Sequence, residues 1–95
     1  MAELNKSIGK RLRKHRRLMG FSQTDVARRL RLANTALISR WERGMTMPSM
    51  ESAMKLSKLY KTLLNELFWD LDRRSGEELF PEEKQRKGKF NNKDP

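Results

Sequence analysis

The chain has 95 residues, and its 22 Lys and Arg against 12 Asp and Glu give a net charge of +10. This length is enough for one small domain with terminal segments. It is too short for two domains, because each would bury too little surface to be stable. The charge favours a polyanion as partner over an acidic substrate or protein. The absence of Cys excludes disulfides and thiolate chemistry and favours the cytoplasm. We expect neither a membrane span nor a signal peptide, since no apolar run is long enough.

The positive charge is concentrated in the first half of the chain. Residues 1–43 hold 12 Lys and Arg and three acidic residues, whereas residues 75–95 hold five of each. A surface for a polyanion is therefore expected within residues 1–43. Residues 75–95 are charged and rich in helix breakers, and they are predicted to form a mobile tail after a domain over residues 1–74. Leu79 and Phe80 are apolar and are candidates for docking on the domain or on a protein partner.

Two helices are predicted over the first third of the chain. The apolar stripe of the first, over residues 6–19, contains Ile8, Leu12 and Met19, and Gly20 supplies a left-handed stop after it. Ser22 is a good N-cap for the second helix, which is expected to end near residue 30 or 31. The apolar stripe of the second helix contains Val26, Ala27 and Leu30.

Three more helices follow. Asn34 is the predicted N-cap of the third, over residues 35–43, and Gly44 is its stop. Ser49 is the predicted N-cap of the fourth, which ends near Lys61, and the fifth spans about residues 64–71. The inward sets predicted for the third and fourth helices are Leu37, Ile38 and Trp41, and Met50, Ala53, Met54, Leu56, Ser57 and Tyr60. No segment has the alternation typical of a strand, so the predicted fold class is all-α.

The second and third helices, together residues 22–43, are short and separated by a short turn. This arrangement is typical of a helix-turn-helix, whose second helix projects from the surface and enters the major groove of DNA. Polar and small side chains in the first turns of that helix are able to read base edges. The candidates for this role are Thr35, Ala36, Ser39 and Arg40.

The chain contains, in this order, IGKRLRKHRRLMGFSQTDVA, ISRWERG and PSMESAMKLSKLYKTLLNELF. These segments resemble the Cro/C1-type helix-turn-helix domain of phage repressors, also called the XRE family, over about residues 6–68. The resemblance implies a five-helix, lambda-repressor-like domain that binds double-stranded DNA as a sequence-specific transcriptional regulator, most often a repressor. It also implies a homodimer on a pseudo-palindrome. The dimer surface is expected on the fifth helix, around Leu64, Phe68, Trp69 and Leu71.

The resemblance implies roles for residues that contact the DNA backbone or support the fold. Gln23 matches a position that contacts a phosphate and braces the recognition helix. Arg43 and Thr46, with the backbone between them, match a loop that holds a phosphate. Arg16 and Glu42 match a partly buried salt bridge between the first and third helices.

The resemblance also implies which residues face the bases. Thr35, Ala36 and Arg40 match positions that do so, and Ser39 lies beside them. An Arg at such a position bonds bidentately to guanine O6 and N7, with about 1 to 3 kcal/mol of discrimination. The sequence departs from the family pattern in the stretch 31–37, which is one residue longer than usual and lacks the glycine common there. This departure bears on the tilt of the third helix and on the phase of Thr35 and Ala36, whereas Ser39 and Arg40 are placed from the C-terminal side of the helix.

Two other functions remain open from the sequence. The first is an interaction protein on the same domain, an antitoxin or a bridging factor, with Leu79 and Phe80 as contacts on a tail that orders on its partner. The second is nucleic-acid binding without sequence preference, driven by charge alone. An enzyme is not expected, since no nucleophile, base and acid group together. No metal or cofactor is expected either, since His15 is the single His and there is no Cys.

Overall fold

The computed structural model describes residues 2–84 and contains only helices and loops in that range. The helices are α1 (Ala2–Leu18), α2 (Gln23–Arg29), α3 (Ala36–Glu42), α4 (Met50–Leu59), α5 (Leu64–Leu67), α6 (Trp69–Leu79) and α7 (Pro81–Lys84). The predicted all-α class is confirmed. Within the described range, no helix has both the length and the apolar composition that crossing a membrane requires.

One hydrophobic core joins the helices, and α1 contacts α3, α5 and α6 around it. The predicted stripes of α1 and α2 are confirmed, since all their members are buried except Met19, which packs against the core from its edge. The buried apolar residues are Ile8, Leu12, Val26, Ala27, Leu30, Ile38, Trp41, Ala53, Leu56, Tyr60, Leu67 and Phe68.

Three side chains that were predicted to point inward are exposed: Leu37, Met50 and Met54. In α3 the buried side is formed by Ile38, Trp41 and Glu42, and Leu37 lies at its edge. In α4 the buried residues recur every three or four positions, so that Met54 falls beside the stripe and Met50 at the exposed end of the helix. The predictions for these three residues were wrong because an apolar residue was assumed to be an inward one.

Serine side chains begin two of the helices, as predicted. The hydroxyl of Ser22 accepts a hydrogen bond from the amide of Asp25 (3.0 Å), and the Asp25 carboxylate accepts one from the amide of Ser22 (2.8 Å), which completes a capping box. Ser49 accepts from the amide of Ser52 in the same way. At α3 the prediction was off by one residue, because the N-cap is Thr35. The Asn34 side chain instead accepts from the amide of Ala36 (2.9 Å).

Four helices end on a residue with left-handed backbone. The φ angles are 79° at Gly20, 61° at Arg31, 75° at Gly44 and 55° at Lys61. In each case this amide and the next one turn back to carbonyls of the last helical turn, as in the Schellman motif. Glycine adopts this conformation without steric strain, so the stops predicted at Gly20 and Gly44 are confirmed. Arg31 and Lys61 adopt it in spite of their Cβ atoms.

The backbones of α1 and α3 approach closely at Gly9. A Cβ atom on Gly9 would lie 2.7 Å from the carbonyl oxygen of Trp41 and closer still to that of Glu42. Any side chain there would push α3 away from α1. The glycine therefore sets the position of the C-terminal end of α3.

The C-terminal part differs from the prediction of one helix over residues 64–71. The chain bends at Phe68 between α5 and α6, and α6 continues to Leu79, across the domain boundary predicted after residue 74. Ion pairs one turn apart, Arg73 to Glu77 (2.9 Å) and Arg74 to Glu78 (3.1 Å), support the helix through its Ser-Gly centre. Residues 85–95 of the predicted tail lie outside the described residues.

Candidate nucleic-acid interface

The exposed side of α3 carries the residues that were predicted to face bases. Ala36 and Arg40 are exposed one turn apart, with Arg43 one turn further on the same side. Thr35 and Ser39 are half-exposed beside them. The opposite side of α3 is held in the core, so the helix presents a polar and basic surface to solvent.

A network around Glu42 fixes α3 to α1 and α2. Arg16 donates two hydrogen bonds to the Glu42 carboxylate, from Nε to Oε2 at 2.6 Å and from Nη2 to Oε1 at 3.0 Å. The two residues are only 7% and 8% exposed, and the pairing raises the pKa of Arg16 above its usual range. Arg16 also donates to the carbonyl of Phe21 (2.9 Å). The Arg16–Glu42 salt bridge implied by the resemblance is therefore present, and it supports the fold.

Gln23 and Arg13 reach the same carboxylate from the surface side. Nε2 of Gln23 donates to Oε1 of Glu42 at 3.1 Å, and Nε of Arg13 lies 3.8 Å from the same oxygen. Gln23 is half-buried at the start of α2, so one amide hydrogen braces α3 while other polar positions of the side chain remain for a ligand. The two contacts place Arg13 beside Gln23.

The loop after α3 passes close to α1. A Cβ on Gly44 would lie 2.8 Å from the backbone of Lys6, which explains a glycine at this point in addition to its positive φ. Arg43 and Thr46 are exposed on either side of it. The amides of Gly44 and Met45 already donate to carbonyls of α3, so the backbone donors nearest Gly44 are engaged within the protein.

A basic face runs along α1, formed by Lys10, Arg13, Lys14 and Arg17. These residues recur at intervals of three or four positions and line, with Leu18, an open groove of about 360 Å³. Because Arg13 lies beside Gln23, the basic face of α1 borders the N-terminal end of α2. Among residues 2–84, no three His, Cys, Asp or Glu side chains group as a metal site would require.

A family model described as helix-turn-helix matches residues 12–67, which is more than half of the chain. The chain belongs to the Cro/C1-type helix-turn-helix family. The match begins inside α1 and ends with α5, so α6 lies outside it. In the terms of this family, α2 and α3 are the helix-turn-helix and α3 is the recognition helix.

A curated relative supports the same assignment. The chain is 39% identical over 54 residues to the HTH-type transcriptional regulator ImmR of Bacillus subtilis (strain 168), an alignment that covers 57% of this chain and 42% of the relative. The chain therefore spans less than half the length of that protein. No solved structure gives a significant match.

The turn between α2 and α3 contains one left-handed residue and one residue that packs against the core. Arg31 takes the left-handed conformation in the turn, where the family pattern has a glycine nearby, and Leu32 packs against the core. Ala33 and Asn34 are exposed and precede the N-cap. The recognition helix consequently begins at Ala36, so that Thr35 stands at its N-terminus.

Sequence reasoning missed two residues of this surface. Leu37 was assigned to the core, but it is partly exposed at the edge of the recognition helix, next to Ala36. Arg13 was not among the site residues predicted from the sequence, although it approaches Glu42 beside Gln23. Ile38, Trp41 and Glu42 form the inward side of the helix, and Leu37 lies beside them at its edge.

Proposed function

We propose that this chain is a sequence-specific, double-stranded DNA-binding transcriptional regulator that acts as a repressor, without catalysis. The observation that carries the proposal is the recognition helix of a Cro/C1-type domain, which the Arg16–Glu42 pair joins to α1 and which exposes Ala36 and Arg40 on its outer side. A helix presented in this way fits the major groove. While the domain occupies a promoter, other proteins cannot bind in the same groove.

Base reading is assigned to Thr35, Ala36, Ser39 and Arg40. Arg40 is the main determinant, because its guanidinium has the geometry to bond O6 and N7 of guanine together. No carboxylate forms a described ion pair with Arg40, in contrast to Arg16 and Arg28. We add Leu37, whose exposed side chain suits the methyl group of thymine.

Phosphate contacts position the recognition helix, and we assign them to Gln23, Arg43 and Thr46. Arg43 and Thr46 are exposed at the C-terminal end of α3, and Gln23 lies at the N-terminal end of α2. The basic face of α1 extends these contacts along the DNA backbone, since Arg13 adjoins Gln23 at Glu42. Two copies are expected on a pseudo-palindrome with half-sites about one helical turn apart.

The proposal is tested by selecting bound duplexes from a random DNA pool at about 150 mM salt, where nonspecific charge attraction is weakened. We expect an enriched motif with two-fold symmetry. Enrichment of no motif, with affinity that depends on salt alone, would refute sequence-specific regulation and favour charge-driven binding.

A further inference from the structure

The turn between α2 and α3 contains an arginine in a conformation that favours glycine. Arg31 follows α2 with a φ angle of 61°, and its amide and the next one donate to carbonyls of the last turn of α2. The Cβ atom of an L-residue is strained in this left-handed conformation. The chain therefore keeps a long basic side chain at a position where glycine would fit without strain.

The three arginines at the end of α2 differ in what their side chains contact. Nη1 of Arg28 lies 3.5 Å from Oδ1 of Asp25, and the guanidinium of Arg29 lies 5.1 Å from the centroid of the Phe21 ring. Arg31 is exposed, and among residues 2–84 its guanidinium takes part in no ion pair, side-chain hydrogen bond or stacking contact. The fold thus engages two of the three charges and leaves that of Arg31 for an external ligand.

The backbone that carries Arg31 is ordered on both sides. Leu32 packs against the core, and the amide of Leu32 donates to the carbonyl of Ala27 at 2.8 Å. Further along the turn, Oδ1 of Asn34 accepts a hydrogen bond from the amide of Ala36 at 2.9 Å. Only the side chain of Arg31 therefore has to be ordered when a ligand binds, which lowers the entropic cost of the contact.

Basic side chains stand before and after the recognition helix. Arg31 precedes the first residue of α3 by five positions, and Arg43 directly follows its last residue. The helix has seven residues and is about 10 Å long. The major groove is about 12 Å wide and has a phosphate strand along each border. A helix of this length with an arginine beyond each end is suited to contact phosphates at both of its ends.

We propose that Arg31 binds a phosphate of the DNA backbone at the N-terminal end of the recognition helix and thereby positions that helix in the groove. The planar guanidinium donates two hydrogen bonds to phosphate oxygens with matching geometry. Such a contact fixes orientation and carries no sequence information. The chain tolerates a strained arginine because the side chain serves binding and not folding. This inference rests on the proposed function, since it concerns the same helix on DNA.

Lys61 supplies a matched control. It has a φ angle of 55°, is exposed, and ends α4 as Arg31 ends α2. It lies outside the helix-turn-helix, in a groove that also contains Leu63 and Glu66. Arg31→Gly and Lys61→Gly each remove one positive charge and one strained Cβ atom. An effect of net charge or of backbone strain alone should therefore be equal in the two variants.

The experiment measures the affinity of the full chain for the selected duplex, and for one of arbitrary sequence, between about 0.15 and 1 M salt. Arg31→Gly should make the dependence of log affinity on log salt less steep by about 0.9, which corresponds to about fivefold weaker binding at the lowest salt. The loss should be the same on both duplexes. Arg31→Lys should keep the slope of the wild type, because an ammonium also neutralises a phosphate. Lys61→Gly should bind as the wild type does.

Several results would overturn the proposal. They are an unchanged slope in Arg31→Gly, an equal change in Lys61→Gly, a slope in Arg31→Lys as shallow as that in Arg31→Gly, and a loss of preference confined to one base pair. Thermal unfolding monitors the fold, and both glycine variants should be at least as stable as the wild type.

The same data separate this inference from the proposed function. A wild type that selects a motif while Arg31→Gly binds equally well refutes the role of Arg31 alone. A wild type that selects no motif, but whose salt slope falls in Arg31→Gly and not in Lys61→Gly, refutes sequence-specific regulation alone. A wild type that binds no duplex refutes both.

Discussion

Glu42 is the residue at which α1, α2 and α3 meet. Its carboxylate accepts hydrogen bonds from Arg16 and Gln23 and is almost fully buried. A buried carboxylate of this kind is stable only because its charge is matched and its lone pairs are used. Because Arg16 lies on α1 and Gln23 on α2, these contacts hold the C-terminal end of the recognition helix against both helices.

The free energy of unfolding should fall strongly when one partner of the Arg16–Glu42 pair is replaced, and less when both are replaced by apolar residues. Glu42→Gln leaves the Arg16 charge buried without a counterion, at a cost of about 3 to 5 kcal/mol in the free energy of unfolding. Arg16→Met with Glu42→Leu should cost less than Glu42→Gln alone, since no unpaired charge remains. Urea denaturation measures both. A cost below about 1 kcal/mol for Glu42→Gln would be typical of an exposed pair and would contradict this account.

His15 gives the unfolding free energy a pH dependence of known sign. Burial lowers the pKa of His15 from its ordinary value of 6.5, and the positive charges of Arg11 and Lys14 lower it further. The unfolded chain therefore binds the proton at higher pH than the folded chain does. Stability should fall as the pH decreases through 6.5 towards the folded pKa.

The measurement compares wild type with His15→Gln by urea denaturation at several pH values around neutrality. The difference in unfolding free energy should shift against the wild type as the solution becomes acidic, because only the wild type carries this group. A difference that does not vary with pH would show that His15 has the same pKa in both states.

At the scale of elements, local sequence signals predicted the helices well where the determining contacts are local. Ser22, Ser49, Gly20 and Gly44 act within one turn, and all four function as their residue types indicate. The extent of α6 was missed because Ser75 and Gly76 are poor helix residues. The ion pairs of α6 and the attachment of Trp69 to α1 outweigh that preference.

The left-handed residue that ends α2 offers a stabilising substitution. Arg31→Gly removes the strain of a Cβ at a φ of 61° and should raise the unfolding free energy by about 0.5 to 1 kcal/mol. Arg29→Gly, two residues earlier and still helical, should lower it by up to about 1 kcal/mol. Thermal unfolding of both variants tests the sign. If Arg31→Gly is destabilising, the turn does not have the conformation described.

The basic face of α1 is expected to contribute to DNA affinity without contributing to sequence preference. Replacing Lys10, Lys14 and Arg17 with alanine should make the dependence of log affinity on log salt less steep, by about 0.9 for each phosphate that is no longer neutralised. The matched control is alanine at Lys55 and Lys58, which line a separate groove with Arg29. An unchanged slope in the α1 variant, or the same reduction in the control, would place the DNA backbone elsewhere.

At the scale of the whole molecule, the fold buries one side of α3 and leaves its opposite side and the basic face of α1 exposed. The fold class and the order of the first four helices follow from the sequence, since hydrophobic period and capping residues determine them. The outer side of α3 does not follow from residue types alone, because it depends on which residues the core takes. Leu37 is apolar but exposed, and Glu42 is charged but buried.

Arg40 is proposed to read a base while Arg43 holds the DNA backbone, and one binding experiment separates these roles. Affinities of the wild type, Arg40→Ala and Arg43→Ala are measured on the selected duplex and on its single-base variants, at several salt concentrations. Arg40→Ala should lose about 1 to 3 kcal/mol of discrimination at one base pair of each half-site. Arg43→Ala should weaken binding to all duplexes equally and reduce the salt slope by about 0.9. If Arg40→Ala instead weakens all duplexes equally and keeps every base preference, the recognition helix does not read DNA through Arg40.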